Sequence, residues 1–178
     1  MADESDRLIR LLNDLLLMAH ADAGRSLVKE IVDVHSVMED AVRQARYFDE
    51  DRQVNLDVSE DMTLMGDRDA FKQVVLILLD NALKYSTGSV DMEGKQIGSR
   101  IEIHVQDHGE GIPLEHLDHV FDRFYRADDN SFIPGFGLGL SIAKALVEAM
   151  GGTISIESEL GHGTNVKMRF PILEDVSG

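Results

Sequence analysis

The chain has 178 residues, of which 17 are Lys or Arg and 33 are Asp or Glu, and its net charge at pH 7 is −16. So acidic a chain is repelled by nucleic acids and by anionic membranes, and neither is expected as a partner. The absence of cysteine excludes disulfides, thiolate metal sites and a cysteine nucleophile, and the length suits one sizeable core.

The first predicted element is an N-terminal helix. Apolar residues recur at steps of three and four from Asp6 to Ala23, and Gly24 provides a stop signal. A helix this apolar at a chain end requires a partner, either the residues that follow or the other members of a helical bundle, and we favour the bundle. The longest apolar run, Val74 to Leu79, is far shorter than the ~20 residues of a membrane span. With no signal-peptide pattern at its start, the chain is expected to be soluble.

The remaining residues mix helices and strands. Amphipathic periods predict helices over 36–49, 67–86 and 138–150, and alternating patterns predict strands over 54–58, 101–107, 153–157 and 165–170. Residues 119–134 keep no steady period and are predicted to form a mobile loop. This order predicts an α+β fold, a two-layer α/β sandwich in which three helices cover one face of a mixed sheet.

A first candidate site lies on the long helix, in the segment Asp80-Asn81-Ala82-Leu83-Lys84-Tyr85. Asn81 and Lys84 are three residues apart and therefore share one polar edge of the helix. An amide oxygen can ligate Mg²⁺, and an ammonium group can neutralise phosphate charge. On this segment alone, an ordinary solvated edge is the better interpretation.

A second candidate follows the strand that ends at Asp107, in the segment Asp107-His108-Gly109-Glu110-Gly111-Ile112-Pro113. A carboxylate at a strand end, followed by glycines that allow close backbone approach, can accept a hydrogen bond from the exocyclic amine of a ligand. A plain turn into a helix that Pro113 opens explains the same residues equally well.

A third candidate is the segment Gly135-Phe136-Gly137-Leu138-Gly139-Leu140-Ser141, which leads into a helix. Glycines before a helix expose backbone N–H groups and the positive end of the helix dipole, an arrangement that can bind an anion. A P-loop is excluded because no Gly-Lys-Ser/Thr follows, and a dinucleotide fingerprint is excluded because no strand precedes the glycines. The alternative is a flexible hinge.

A fourth candidate is the segment Phe121-Asp122-Arg123-Phe124-Tyr125-Arg126. Arg126, and secondarily Arg123, could contact phosphates, while Phe121 and Phe124 are predicted to anchor the loop to the core. Alternatively, the arginines pair with surface carboxylates, which has a modest effect.

The order and separation of these segments resemble one family, the ATP-binding catalytic domain of sensor histidine kinases, in the superfamily that also contains gyrase, heat-shock chaperones and mismatch-repair ATPases. The resemblance covers residues 30–173. Residues 80–86 resemble the family's N box, 107–112 its G1 box, 121–126 its F box, 135–140 its G2 box and 161–164 its closing glycine turn.

The resemblance implies that ATP and Mg²⁺ are bound. Asp107 would hold the adenine amino group, Asn81 would ligate Mg²⁺, and Asn81, Lys84 and Arg126 would be the catalytic residues, with residues 122–138 as the ATP lid. The residues implied to bind the nucleotide are Asn81, Lys84, Tyr85, Asp107, Gly109, Gly111, Ile112, Arg126, Gly135, Gly137, Leu138, Gly139, Leu140 and Thr164.

The N-terminal segment Asp6 to Arg25 is similar to the end of the second helix of the family's dimerisation and phosphotransfer bundle. We therefore expect two units, residues 1–25 and 26–178. The first helix of that bundle, which bears the phosphoacceptor histidine, has no counterpart in this sequence, and His20 is interpreted as a surface or interface histidine.

The resemblance implies the function of a two-component phosphorelay. The chain would transfer the γ-phosphoryl group of Mg²⁺–ATP to the histidine of the bundle helix, and a response regulator receiver domain would be a partner. A homodimer through the N-terminal helix is implied for the full-length protein. The expected location is the cytoplasm, with a parent protein that could be anchored in a membrane, as many family members are.

One position departs from the family pattern. Another Asn commonly stands one helical turn before the metal-binding Asn, and here Ile77 occupies that position. Poorer Mg²⁺ coordination is expected, and an isoleucine cannot act as the water-activating base that the hydrolysing relatives carry there. Two alternatives stay open: an ATP-binding sensing or interaction module without phosphotransfer, and a chaperone-type or mismatch-repair-type ATPase, which would need a carboxylate at position 77.

Overall fold

A computed structural model of the chain describes residues 27–46, 51–127 and 135–172, together with five residues near the N-terminus, Leu12, Leu15, Leu16, Met18 and Ala19. These five residues are helical, and Met18 is buried while the three leucines are exposed. Most of the predicted N-terminal helix, and the predicted boundary after residue 25, lie outside the described residues.

The described residues from 27 onward form seven strands and four helices. In chain order these are β1 (Glu30–Asp33), α1 (Val34–Arg46), β2 (Val54–Val58), β3 (Thr63–Gly66), α2 (Arg68–Tyr85), β4 (Val90–Ile97), β5 (Arg100–Asp107), α3 (Leu114–Leu117), α4 (Gly139–Ala149), β6 (Thr153–Glu159) and β7 (Gly163–Pro171). Five strands form a mixed sheet in the order β2-β4-β5-β7-β6, in which β2 and β4 are parallel and the other neighbours are antiparallel. Strands β1 and β3 pair with each other as a separate antiparallel sheet.

The large sheet has one apolar and one polar face. In β5, Ile101, Ile103 and Val105 are buried, whereas the alternate residues project from the opposite face. Helices α1, α2 and α4 cover the apolar face, and Phe71 of α2 meets Phe170 of β7 edge to face with ring centroids 6.0 Å apart. The predicted α+β two-layer sandwich is therefore confirmed.

Helix α2 is fixed at both ends and along one side. Asp67 precedes it as the N-cap, and its carboxylate accepts a hydrogen bond from the Ala70 amide at 2.9 Å. At the other end, the Ser86 hydroxyl donates to the Ala82 carbonyl at 2.7 Å. The buried side of the helix consists of Ala70, Phe71, Val74, Val75, Leu78, Leu79 and Ala82. This packing sets the rotation of the helix and so the position of its polar edge.

Several elements differ from the sequence prediction. Helix α1 begins at Val34, earlier than predicted, because the Asp33 carboxylate accepts a hydrogen bond from the Ser36 amide at 2.8 Å and starts the helix directly after β1. Strands β1, β3 and β4 were not predicted. The predicted loop is irregular over 118–127, and residues 128–134 lie outside the described part. Among the described helices, none has the length and apolar character needed to cross a membrane.

Candidate functional site

Segments that are distant in sequence meet at the end of β5 where Asp107 lies. Close approaches at two glycines define this meeting point, and an ordinary contact at a third places the G2 segment beside α2. A Cβ added at Gly109 would lie 2.2 Å from the Tyr85 carbonyl oxygen, and one added at Gly163 would lie 2.0 Å from the Asp107 carbonyl oxygen. A Cβ at Gly139 would lie 4.0 Å from Oδ1 of Asn81. The structure thus brings the N-box, G1, G2 and closing-turn segments together.

Asp107 is the buried carboxylate at this point, with 6% of its surface exposed. Its Oδ1 accepts hydrogen bonds from the Gly109 amide at 2.9 Å and the Thr164 amide at 3.2 Å. Burial raises the pKa of Asp107 above its ordinary value, and these two hydrogen bonds offset part of that effect. Both bonds use Oδ1, which leaves Oδ2 to accept a hydrogen bond from a ligand.

A serine joins the two glycine turns next to Asp107. The Ser158 hydroxyl accepts a hydrogen bond from the Ile112 amide at 2.8 Å and donates to the Gly163 carbonyl at 2.8 Å. Its oxygen is also 3.0 Å from Oγ1 of Thr164. Ser158 was not among the site residues predicted from the sequence. The signal was a hydroxyl at the alternate position that follows Ile154 and Ile156 along β6.

Asn81, Lys84 and Tyr85 lie on the last turns of α2. Asn81 is half-buried, and the Tyr85 side chain is 51% exposed. The Lys84 ammonium lies 2.5 Å from Oδ2 of Asp80 on the same helix. An exposed pair of this kind contributes only about 0–1 kcal/mol, so a phosphate group can compete for the ammonium.

Helix α4 begins beside Asn81. Gly139 is its first residue, and a Cβ there would lie 3.3 Å from Cγ2 of Ile77 and 3.8 Å from Nδ2 of Asn81. Leu138 is buried just before the helix, and its carbonyl accepts a hydrogen bond from the Ser141 hydroxyl at 2.8 Å, while Leu140 is half-buried. The positive end of the α4 dipole is thus held next to the amide of Asn81, where an anion would be stabilised.

The F-box and G2 segments are connected directly. The Phe124 amide donates to the Gly137 carbonyl at 2.9 Å, and Nη1 of Arg126 donates to the Gly135 carbonyl at 2.8 Å. Gly137 has a φ of 70°, and a Cβ there would lie 2.5 Å from the Tyr125 carbonyl oxygen. The F-box and G2 segments are thereby joined on either side of residues 128–134, which lie outside the described residues.

The two phenylalanines predicted to anchor this loop to the core differ in their burial. Phe121 is half-buried, and the Lys144 ammonium lies 5.6 Å from the centre of its ring. Phe124 is 60% exposed and its φ is 63°, so the prediction that it anchors the loop to the core is wrong. Phe124 contacts the G2 segment through its backbone, because its amide donates a hydrogen bond to the Gly137 carbonyl.

The donors near α4 suit Mg²⁺ bound together with a phosphorylated ligand. The described residues contain no group of three or more His, Cys, Asp or Glu side chains that could hold a metal without a ligand. The Asn81 amide supplies one hard oxygen ligand beside a helix N-terminus that favours phosphate. Mg²⁺ commonly takes one or two protein ligands and completes its shell with phosphate and water oxygens, so this donor set fits the ion.

Comparison with known proteins gives the same family for sequence and structure. The family model described as "Histidine kinase-, DNA gyrase B-, and HSP90-like ATPase" matches residues 66–174. The sensor histidine kinase YkoH of Bacillus subtilis is 37% identical over 170 residues, which cover 94% of this chain and 37% of the relative. The sensor protein kinase WalK of Staphylococcus saprophyticus is 37% identical over 183 residues, which cover 97% of this chain and 30% of the relative. The chain therefore spans only about a third of the length of these curated relatives.

Solved structures show the same architecture. The chain is similar to the mycobacterial sensor histidine kinase MprB with a TM-score of 0.73 and 30% identity, covering 81% of this chain and 97% of that one. It is also similar to full-length ShkA, solved in complex with AMPPNP, with a TM-score of 0.83 and 27% identity, covering 95% of this chain and 36% of that one. The architecture is therefore shared with histidine kinase structures.

Proposed function

Because this chain belongs to the histidine kinase-, DNA gyrase B- and HSP90-like ATPase family, we propose that it is the ATP-binding catalytic domain of a sensor histidine kinase. It binds Mg²⁺–ATP and transfers the γ-phosphoryl group to a histidine on a dimerisation helix. The observation that carries the proposal is the buried Asp107 carboxylate, which is held by two amides through one oxygen while its other oxygen is available.

The base-binding end of the site is centred on Asp107. Its free oxygen accepts a hydrogen bond from the exocyclic amine of adenine, a contact that a purine with a carbonyl at that position cannot make. Thr164 and Ile112 hold the surrounding turns through the Ser158 hydroxyl. Gly109 and Gly111 allow the backbone to pass closely, since side chains there would overlap the carbonyl oxygens of Tyr85 and Glu159.

The phosphate-binding end combines charge with backbone dipoles. Lys84 and Arg126 neutralise phosphate oxygens, while the G2 backbone from Gly135 to Leu140 presents amides at the start of α4. Asn81 would hold Mg²⁺, which when bound supplies charge neutralisation for the triphosphate. With a net charge of −16 the chain as a whole repels ATP, so these local groups and a divalent cation are needed for binding.

The transfer step requires little covalent chemistry from this chain. A ring nitrogen of the acceptor histidine forms a bond to the γ-phosphorus while the bond from that phosphorus to the β–γ bridging oxygen breaks, and ADP leaves with the electron pair. The residues of this chain orient the triphosphate in line with the acceptor and shield its charge. The acceptor helix, a receiver domain and a second copy of the full-length protein are the implied partners, in the cytoplasm.

A titration tests the binding half of the proposal. A non-hydrolysable ATP analogue should bind to the chain in the presence of Mg²⁺, and its affinity should fall sharply when a chelator removes the ion. If the analogue binds neither with Mg²⁺ nor without it, the assigned site is refuted.

Phosphotransfer is tested separately from binding. Ile77 replaces the second amide of the family pattern, and this departure favours an ATP-binding sensing module without phosphotransfer as the second candidate function. A complete acceptor bundle helix is supplied in trans with ATP labelled at the γ position. Label on its histidine supports the kinase, and binding without transfer supports the module. Measurable ATP hydrolysis by the unmodified chain would instead support the ATPase alternative.

A further inference from the structure

We propose that Arg52 is a positioning residue of the nucleotide site, which holds the C-terminal end of α2 in register with Asp107. The inference rests on the proposed binding of ATP and concerns a residue outside all of the sequence segments that define the site. Arg52 stands before β2, 29 positions before Asn81 in the sequence.

The Arg52 guanidinium contacts three acceptors around the end of α2. Its Nη1 donates to the Leu83 carbonyl at 3.0 Å, and its Nη2 donates to the Ser86 hydroxyl at 2.9 Å and to the Gly88 carbonyl at 2.9 Å. The neighbouring Gln53 carbonyl accepts a hydrogen bond from the Val90 amide at 2.9 Å. The Arg52 side chain thus joins the start of β2, the last turn of α2 and the connection to β4.

The C-terminal end of a helix is a place where the positive charge of Arg52 stabilises the structure. The last carbonyls of a helix lack intrahelical partners and carry the negative end of the dipole. The Ser86 hydroxyl donates to Ala82, so its oxygen is free to accept from Arg52. A planar guanidinium can serve several acceptors in a fixed arrangement, whereas an ammonium is a compact point charge on a flexible stem.

The segment that Arg52 holds also forms one wall of the site. A Cβ at Gly109 would lie 2.2 Å from the Tyr85 carbonyl oxygen, 3.1 Å from Cα of Ser86 and 3.0 Å from Oδ1 of Asp107. The Gly109 amide donates to that same Oδ1. Movement of residues 85–86 therefore shifts Gly109 and, through its amide, the carboxylate that would bind adenine.

The test compares three variants of this chain. Arg52→Met removes the donors while keeping an unbranched apolar stem, and Arg52→Lys keeps the charge but loses the planar fork. Arg68→Met is the matched control, because Arg68 lies at the opposite end of α2 and pairs with Asp40 at 3.3 Å. Affinities for non-hydrolysable analogues of ATP and of ITP, whose base lacks the exocyclic amine, are measured together with amide NMR shifts of the nucleotide-free chain.

We expect Arg52→Met to bind the ATP analogue about tenfold more weakly, because the variant loses several charge-assisted hydrogen bonds that hold residues 85–86 beside Gly109. Arg52→Lys should lose less, and Arg68→Met should bind like the unmodified chain. The ITP analogue should be affected less than the ATP analogue, whereas general destabilisation would weaken both equally. The amides of Gly109 and Thr164 should shift in Arg52→Met and not in Arg68→Met.

Unchanged ATP affinity and unmoved Gly109 and Thr164 amides in a folded Arg52→Met chain would overturn the proposal. If Arg52→Met does not fold, Arg52→Lys decides by the same two measurements. If the unmodified chain binds neither analogue, the proposed function fails, while the amide shifts of the nucleotide-free chain still decide whether Arg52 positions Gly109.

Discussion

The backbone of Gly163 packs directly on the backbone of Asp107. A Cβ added at Gly163 would lie 2.0 Å from the Asp107 carbonyl oxygen and 2.9 Å from Cα of His108. The φ of Gly163 is 87°, in the left-handed region that glycine tolerates. The turn that delivers the Thr164 amide to the Asp107 carboxylate therefore has no room for a side chain at this position.

Gly163→Ala should lower the free energy of unfolding by more than about 2 kcal/mol, because left-handed strain of about 1–2 kcal/mol adds to overlap with a backbone atom. Gly161→Ala is the matched control: its φ is 79°, but a Cβ there would meet nothing within 4 Å. The control should show the strain alone. Urea unfolding of both variants measures the difference, and equal losses would contradict the packing argument.

Asp107→Asn should weaken adenine nucleotide binding by about 10- to 100-fold, since a hydrogen bond to a charged group contributes ~1.5–3 kcal/mol. An asparagine oxygen can still accept from the Gly109 and Thr164 amides, so the turn should be retained. The amide nitrogen would then face the adenine amine, donor to donor. Calorimetric titration with ATP and GTP analogues measures the change. An unchanged ratio of the two affinities would mean that Asp107 does not contact the base.

The raised pKa of Asp107 predicts a negative dependence of stability on pH. Its causes are burial, which raises the pKa, and the smaller opposing effect of the Gly109 and Thr164 amides. Between the usual value of 3.8 and the raised value, the folded chain binds more protons than the unfolded chain, so stability falls as pH rises. Relative to the unmodified chain, Asp107→Asn should become more stable as pH increases through this window.

Asp91 should show the opposite slope and serves as the control. Hydrogen bonds from Asn55 at 2.6 Å and His108 at 2.7 Å lower its pKa below the usual 3.8, with Asn55 the larger cause. Its contribution is present above pH 3.8 and is lost as pH falls through the lowered value. Asp91→Asn should therefore lose stability relative to the unmodified chain as pH rises from the lowered value to 3.8. Urea unfolding of each variant and of the unmodified chain, at pH values below and above 3.8, measures the difference in unfolding free energy. If that difference changed with pH in the same direction for both variants, the opposite pKa shifts of Asp107 and Asp91 would be contradicted.

Much of the fold could be predicted from the sequence because its elements are strongly periodic. The amphipathic period over 67–86 predicted α2 with nearly correct bounds, and the alternation in β5 identified the covered face of the sheet. Strand β4 was missed because Gly94 takes the place of an apolar residue at a buried position of the alternation, and the exposed residues 95–97 follow it. Gly94 is buried there, and a Cβ would lie 3.0 Å from both Met62 and Val58. Because these contacts come from residues distant in the chain, the sequence around Gly94 shows no periodic pattern that would reveal them.

In the candidate site, too, residues within a local motif could be predicted from the sequence, whereas residues that act through distant contacts could not. Residues carried by a local motif, such as Asp107 with its glycines, could be proposed from spacing and family resemblance. Ser158 and Arg52 act through contacts with residues distant in the chain, Ile112 and Leu83, so no spacing pattern marks them. Phe124 shows the reverse error, since an aromatic residue suggested burial and the structure places its side chain outside.

Position 77 offers a test of how the N-box helix would hold Mg²⁺. Ile77 and Asn81 are one turn apart, and both approach the position that a Cβ on Gly139 would occupy, Ile77 Cγ2 at 3.3 Å and Asn81 Oδ1 at 4.0 Å. Ile77→Asn would add a second amide oxygen on that side of α2. It would also remove a half-buried apolar side chain, which should lower the free energy of unfolding by about 1–3 kcal/mol.

Ile77→Asn is expected to strengthen only the part of ATP-analogue binding that depends on Mg²⁺. The ratio of ATP-analogue affinities with and without Mg²⁺ should rise several-fold, because hard oxygen ligands from the protein replace water. Ile77→Ala is the control, since it loses a similar apolar contact without supplying a ligand and should leave the ratio unchanged. Calorimetric titration of both variants, with and without Mg²⁺, decides between the two. Equal ratios for Asn and Ala would show that position 77 does not face the ion, and that Asn81 with water and phosphate oxygens forms a complete site.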